Sequence, residues 1–158
     1  MSKIIAALSM VVILGAAALY AEEAAKPAFP PFVITIPNGF TTSYNPGNGK
    51  TGQSLTIAPK DRSAVYTVSI EALAPGQWES MLDQMLNKPK ANTGPAEVQG
   101  KDQFLVTYND TASGLAGRQI FQRINDGAYL KQVSLGYHPE LNAAASSLSL
   151  QFEAEENQ

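Results

Sequence analysis

Several residue groupings in this chain have types or spacings that suggest chemistry, and each can be tested against what that chemistry requires. Gly49-Lys50-Thr51 has the ending of a phosphate-binding loop. Such a loop also needs a glycine five residues before Gly49, where this chain has Tyr44. The segment leads into a strand pattern, whereas a phosphate cradle needs a helix N-terminus. His138 is the only imidazole, which excludes any site built on two. A Ser-His-acid relay needs a poised serine, and Ser113, in Ala112-Ser113-Gly114, lacks the first glycine of a nucleophile elbow. Ahead of Pro139, His138 reads instead as a turn or capping residue.

Oxygen ligands fare no better. Asn109 and Asp110 share a loop, but the D-x-D-x-D-G spacing of a calcium loop is absent. Asp61 adjoins Arg62 and reads as a surface pair. A glycosidase needs two facing carboxylates, and the sequence places no such pair among its 14 acids. Zero cysteines exclude disulfides, thiolate nucleophiles, iron–sulfur clusters and thiolate zinc sites. The expectation is therefore no catalytic residue, no metal and no cofactor. With 16% charged residues and a formal charge of −3, the balance also argues against a nucleic-acid binder, which would need a basic patch.

What remains is interaction chemistry. Tyr44 and Tyr137 fall at strand ends and are the aromatics best placed for exposed contacts. Asn48 and Lys50 lie in the glycine-rich loop Asn45–Gly52, and Asn109 and Asp110 in the loop Asn109–Gly117. Arg118, Arg123 and Lys131 are expected close together on one hairpin, where they would suit an acidic partner. Loops are where binding residues concentrate.

The N-terminus supplies a location. Lys3 precedes an uncharged apolar run, Ile4–Leu19, followed by Tyr20, Ala21 and the acids Glu22 and Glu23. A cation, an apolar stretch and a small residue before an acidic start form a secretory signal peptide, with cleavage expected after Ala21. The remaining 137 residues carry a formal charge of −4 and contain no other long apolar run. They are expected to be soluble in the periplasm, away from cytosolic cofactors. Residues 22–31 (EEAAKPAFPP) read as an extended lead-in, because prolines remove donors and disfavour helix at the preceding residue. Residues 32–152 form one domain, and 153–158 an acidic, disordered tail.

Within the domain, Phe32–Ile36 reads as a strand, then Phe40–Tyr44 and Ser54–Ala58. In Ser63–Leu73, Tyr66, Val68 and Ile70 alternate with Thr67, Ser69 and Glu71, which predicts one buried and one wetter face. Trp78, Met81, Leu82, Met85 and Leu86 make an apolar stripe on a helix over 77–87, stopped by Pro89. A fifth strand runs through Phe104–Tyr108, preceded by Val98 and a kink at Gly100. Strands 118–124 and 129–137 form a hairpin on Asp126-Gly127, a preferred pair for a type I′ turn. That register pairs Ile124 with Tyr129 and Ile120 with Val133. Pro139 opens a last helix whose stripe is Leu141, Ala144, Ala145, Leu148 and Phe152. Strands joined by short turns with two helices as packing layers give an α+β class with an antiparallel sheet.

The order of these parts resembles the PsbP-like superfamily, which includes bacterial periplasmic proteins of the DcrB and DUF1795 type. The likeness covers Phe32–Phe152 and rests on "FVITIPNGF", "EVQGKDQFLVTY" and "RQIFQRINDGAYLKQVSLGYHPE", followed by a final helix ending in "LSLQF". The resemblance implies an α/β/α sandwich and an accessory or binding role, and it transfers no site residue. The leading functional expectation is a soluble periplasmic accessory protein that contacts an envelope protein. The alternative is a carrier with an apolar pocket between helix 77–87 and the sheet. A hydrolase using carboxylates or His138 comes third.

Overall fold

The computed structural model describes residues 29–87 and 92–152. The expected leader 1–21, most of the lead-in and the tail 153–158 lie outside the described residues. The elements are β1 (Phe32–Val33), β2 (Thr41–Asn45), β3 (Ser54–Ala58), β4 (Val65–Ala72), α1 (Gln77–Asn87), β5 (Glu97–Gly100), β6 (Gln103–Asn109), β7 (Ala116–Asn125), β8 (Ala128–Leu135), α2 (Pro139–Ser146) and β9 (Ser149–Leu150). A seven-stranded antiparallel sheet runs β2-β3-β4-β8-β7-β6-β5, and β1 and β9 pair separately. The class is mixed α+β.

The period of two in β4 works as its residue types dictate. Tyr66, Val68 and Ile70 are buried on what we term the first face, and Thr67 and Glu71 on the second are half-exposed. Ser69 is the exception, buried on the second face, where its hydroxyl donates to Glu71 Oε1 at 2.7 Å. Cross-strand pairing carries the faces across the sheet. Leu55 and Ile57 of β3 and Leu130 of β8 join Tyr66, Val68 and Ile70 in one core, together with Phe29, Phe32 and Leu141. On the second face Phe104, Val106 and Phe121 form another core with Leu73, Trp78 and Ala96. There Phe104 stacks on Phe121 (centroids 4.7 Å apart, 13° between planes), and Trp78 tilts onto Phe104 at 5.2 Å.

Several expectations need correction. The body begins earlier than Phe32: Phe29 and Pro31 are buried, and the Phe32 N–H donates to the Phe29 carbonyl, so the end of the lead-in is core. The first strand stops at Val33. Beyond it Ile34 and Ile36 still pack on the core, but the Thr35 N–H goes to Ser147 Oγ at 3.0 Å and not to a ladder. The final helix ends at Ser146. Ser146 and Ser147 hydroxyls donate back to the Asn142 and Ala144 carbonyls, and the chain then pairs as β9 with β1. Phe152 is thus off the helix and 53% exposed. Val98 belongs to a separate edge strand, β5, with a bulge between Val98 and Gly100.

The hairpin register is shifted by one residue. Arg123 pairs with Tyr129 and Asn125 with Ala128, leaving Ile124 as a bulge. Gly127 is not among the positive-φ glycines, so the type I′ turn is replaced. Instead Asn125 Oδ1 accepts the Gly127 N–H at 2.8 Å, an Asx turn. A turn without positive φ splays the strands, and the extra bulge residue restores their twist. Beyond the bulge the period of two transmits the shift. Ile120 faces Gln132 and not Val133, and Leu130 shares a face with Ile120 and not with Phe121.

Gly136, at φ 72°, shows where the chain tolerates no side chain: a Cβ there would sit 2.5 Å from the Ser63 carbonyl oxygen. The α1 stripe is graded, with Trp78 buried, Met81, Leu82 and Met85 half-buried, and Leu86 exposed. Urea unfolding of Trp78→Ala is therefore expected to show a loss of about 3–5 kcal/mol, the range for removing a buried aromatic. Leu86→Ala is expected within about 0.5 kcal/mol of the parent. Equal losses would contradict this packing.

Candidate functional site

Seven of the nine interaction candidates divide between the two ends of the sheet, and Arg123 and Lys131 lie on its second face. At one end, the β6–β7 loop meets the β8–α2 junction. Asn109 pairs with Ala116, Arg118 with Ser134, and the Gly136 N–H donates to the Ala116 carbonyl, so Asn109, Asp110, Arg118 and Tyr137 come together. Tyr137 is 75% exposed. Asp110 organises the loop: its Oδ2 accepts from the Ser113 hydroxyl (2.5 Å) and the Ser113 N–H (2.8 Å). Those bonds hold its carboxyl below the ordinary range.

The other end holds Asn48 and Lys50, whose loop is tied down by the Gly52 N–H to the Ile70 carbonyl. Asn48 is occupied locally, its Oδ1 accepting from the Lys50 and Thr51 amides at 3.0 and 2.8 Å. Lys50 is exposed at the loop tip. Tyr44 is half-buried: its ring packs on Phe29 (centroids 5.6 Å apart) and its hydroxyl donates to the Pro30 carbonyl. Its first contacts are within the molecule.

The three hairpin cations do not form one patch. Arg118 lies on the first face, exposed, while Arg123 and Lys131 belong to the second. Arg123 donates from Nε (2.8 Å) and Nη2 (2.6 Å) to Asp102 Oδ1, reaches Glu79 Oε1 at 3.4 Å, and lies 5.7 Å from the Trp78 ring. Lys131 Nζ sits 6.0 Å from the Phe121 ring. Neither Arg118 nor Lys131 has an acid partner among the described residues, and of the two Arg118 is the exposed one. No short-range pattern marks Asp102 as the partner of Arg123, 21 residues away.

His138 occupies the N-cap position of α2 with no side-chain capping bond, so a capping contact is not what its ring makes. The ring meets Phe40 edge-on at 5.1 Å, and Nδ1 is buried with no partner among the described residues. Asp61 is nearby but spends its carboxylate on the Ser63 N–H at 3.0 Å. No relay of serine, histidine and acid is formed here. Among the described residues no cluster of three acids or imidazoles converges, and no helix is long and apolar enough to cross a membrane.

Among the described residues, three shallow clefts bear on these candidates. One of about 260 Å³ lies on the first face beside the α2–β9 segment, over Gln122, Leu130 and Gln132. A second, of about 360 Å³, runs along β2 and β3 to Lys60 and Arg62. The third, about 320 Å³, opens where α1 begins, beside Trp78, Glu79, Arg123 and Asp126. It is the cleft nearest the expected helix–sheet pocket. Its wall carries charges, and the interior next to it is filled by stacked rings.

No protein-family profile and no curated protein matches this chain.

The depressed Asp110 carboxyl gives a pH expectation. A carboxylate held below its ordinary value adds stability that is present above the ordinary value and lost as pH falls through the depressed one. The protection of the Ser113 amide, its exchange rate relative to the intrinsic rate at each pH, is expected to hold down to about pH 4 and to fall below it. Asp110→Ala should remove that protection throughout, and protection that persists in that variant would refute the assignment.

Proposed function

We propose that the chain is a soluble periplasmic accessory or binding protein that works by contacting an envelope protein, on an α/β/α sandwich of PsbP-like type. Support for the layering comes from the two cores, whose sheet residues face opposite ways: Leu141 of α2 joins one and Trp78 of α1 the other. Support for the role comes from one observation. Leu105 and Ile120 are partners across β6 and β7 on the first face, half-buried, and belong to neither core.

Around this pair stand Gln103, Gln122, Gln132, Thr107 and Arg118, the same face by register. Two aliphatic groups ringed by amides and one unpaired guanidinium have the make-up of a contact site. The apolar centre gains from losing water, and the polar rim sets orientation. Asn109, Asp110 and Tyr137 extend the rim at the β6–β7 end. Tyr137 is large, exposed and amphipathic, a residue type favoured at such contacts.

A carrier role has one observation in its favour, the buried Trp78 indole N–H that has no partner among the described residues and adjoins the 320 Å³ cleft. Glu79, Arg123 and Asp126 on that wall favour a polar ligand over an apolar one.

A photocrosslinker placed at Ile120 in cells is expected to give a discrete protein adduct, and one at exposed Leu86 none. Ile120→Arg should weaken the contact tenfold or more, about 1.4 kcal/mol, with the fold intact. Labelling that is equal at both positions would defeat the contact reading. Intact mass of the native protein is expected to match a chain starting at Glu22, and retention of residues 1–21 would defeat the soluble reading in favour of a membrane anchor that stays.

A further inference from the structure

The β3–β4 turn holds two cations that the rest of the described molecule leaves unused. Lys60 and Arg62 are exposed, and no acid among the described residues lies within ion-pair distance of either. Asp61, between them in sequence, is engaged with Ser63. The turn closes through the Arg62 N–H to the Pro59 carbonyl at 3.0 Å. Arg62 has φ 55°, the one positive value at a non-glycine among the described residues. A left-handed arginine is an unfavoured conformer, and glycine would satisfy the turn without it.

Both cations line the cleft of about 360 Å³ whose floor is Thr41, Ser43, Thr56 and Ala58, on the second face at the sheet's edge. The hydroxyls are ordered in part: Thr41 Oγ1 donates to the Ala58 carbonyl at 3.1 Å, and Thr56 Oγ1 lies 3.0 Å from Thr67 Oγ1. β2 is the last strand on its side, so it also presents backbone N–H groups with no strand beyond them. We infer that this cleft binds a phosphate group, with the Arg62 fork and the Lys60 ammonium as its charge partners and the β2–β3 hydroxyls as neutral donors.

The donor set fits that ligand. A guanidinium matches two oxygens of a tetrahedral anion, an ammonium supplies a point charge, and hydroxyls complete the remaining oxygens. In a chain of net charge −3 such a local cationic site selects its ligand by position, because the overall field repels anions. The phosphate can be free in solution or carried by a lipid headgroup, and the same site chemistry serves either. The cleft lies on the opposite face from Leu105 and Ile120, so its failure would leave the contact surface standing.

Titration of the purified protein with inorganic phosphate at constant ionic strength, followed by amide NMR, separates site binding from screening. Shifts at 41–43 and 60–63 are expected to saturate with a dissociation constant of about 1–10 mM. Lys60→Gln and Arg62→Gln should each weaken binding about fivefold or more, and Lys101→Gln should leave it unchanged. Arg62→Gly, which suits the left-handed turn, should unfold at no lower temperature than the parent and still lose binding. In a parallel arm, phosphatidylglycerol vesicles are compared with phosphatidylcholine vesicles by sedimentation. Saturable phosphate binding that the variants lose supports a soluble ligand. Vesicle binding that the variants lose, without phosphate saturation, supports a headgroup. Neither, or binding indifferent to both variants, overturns the site.

Discussion

The register between β7 and β8 is the constraint on which the rest of the molecule depends. These strands sit at the centre of the seven-stranded sheet, and the single bulge residue Ile124 decides which of their side chains face which way. With it, Phe121 and Tyr129 lie together on the second face beside Trp78, and Leu130 joins Val68 and Ile70 on the first. Remove the bulge and the parity inverts beyond it. Leu130 would then be turned toward the second face, and the first core would lose a member that is 3% exposed. A one-residue change in a strand is therefore not a local event, because the period of two has no intermediate setting.

The same parity places the two cores diagonally. The first draws its sheet residues from β3, β4 and β8, the second from β6 and β7, with half-buried Tyr129 of β8 packed on it. Each face then has one part committed to a core and one part with other work. On the first face the remainder holds Leu105, Ile120 and the glutamines, and on the second it holds the hydroxyls of β2–β4. The difference in chemistry between these remainders follows from sequence. Glutamine and leucine alternate with Phe104 and Val106 in β6, while threonine and serine alternate with Leu55 and Ile57 in β3.

How much of this was legible beforehand depended on the range of the determining contact. The β4 alternation and the stripe over 77–87 are local periodicities, and both elements form where those patterns put them. The hairpin turn was located but not its type, since Asn125 competes for the Gly127 amide with its own side chain, a choice that residue propensities leave open. The helix stripe through Phe152 failed for a similar reason: two serine hydroxyls end the helix, and a distant segment at Phe32 claims Leu150. Arg123 and Tyr44 were legible as side chains capable of contact. Their partners, Asp102 and the Pro30 carbonyl, are set by the fold and not by spacing, so their engagement was not legible. Arg118 and Tyr137 stand at an end of the sheet that the topology assembles from three separate segments.

Lys60 and Arg62 escaped the sequence reading because their neighbour Asp61 made a surface pair the economical account of the turn. Geometry decides otherwise. In a tight turn adjacent side chains diverge, and Asp61 satisfies its oxygen with the Ser63 amide two residues on, a contact that needs no cation. An exposed pair of opposite charges would in any case contribute little, since solvent screens it and the side chains lose freedom in forming it. Two like charges left facing one cleft repel each other. A turn that keeps them there, with arginine where glycine would fit the backbone, holds an arrangement that its own stability does not require. Features of that kind gain their reason from an anion that occupies the space between them.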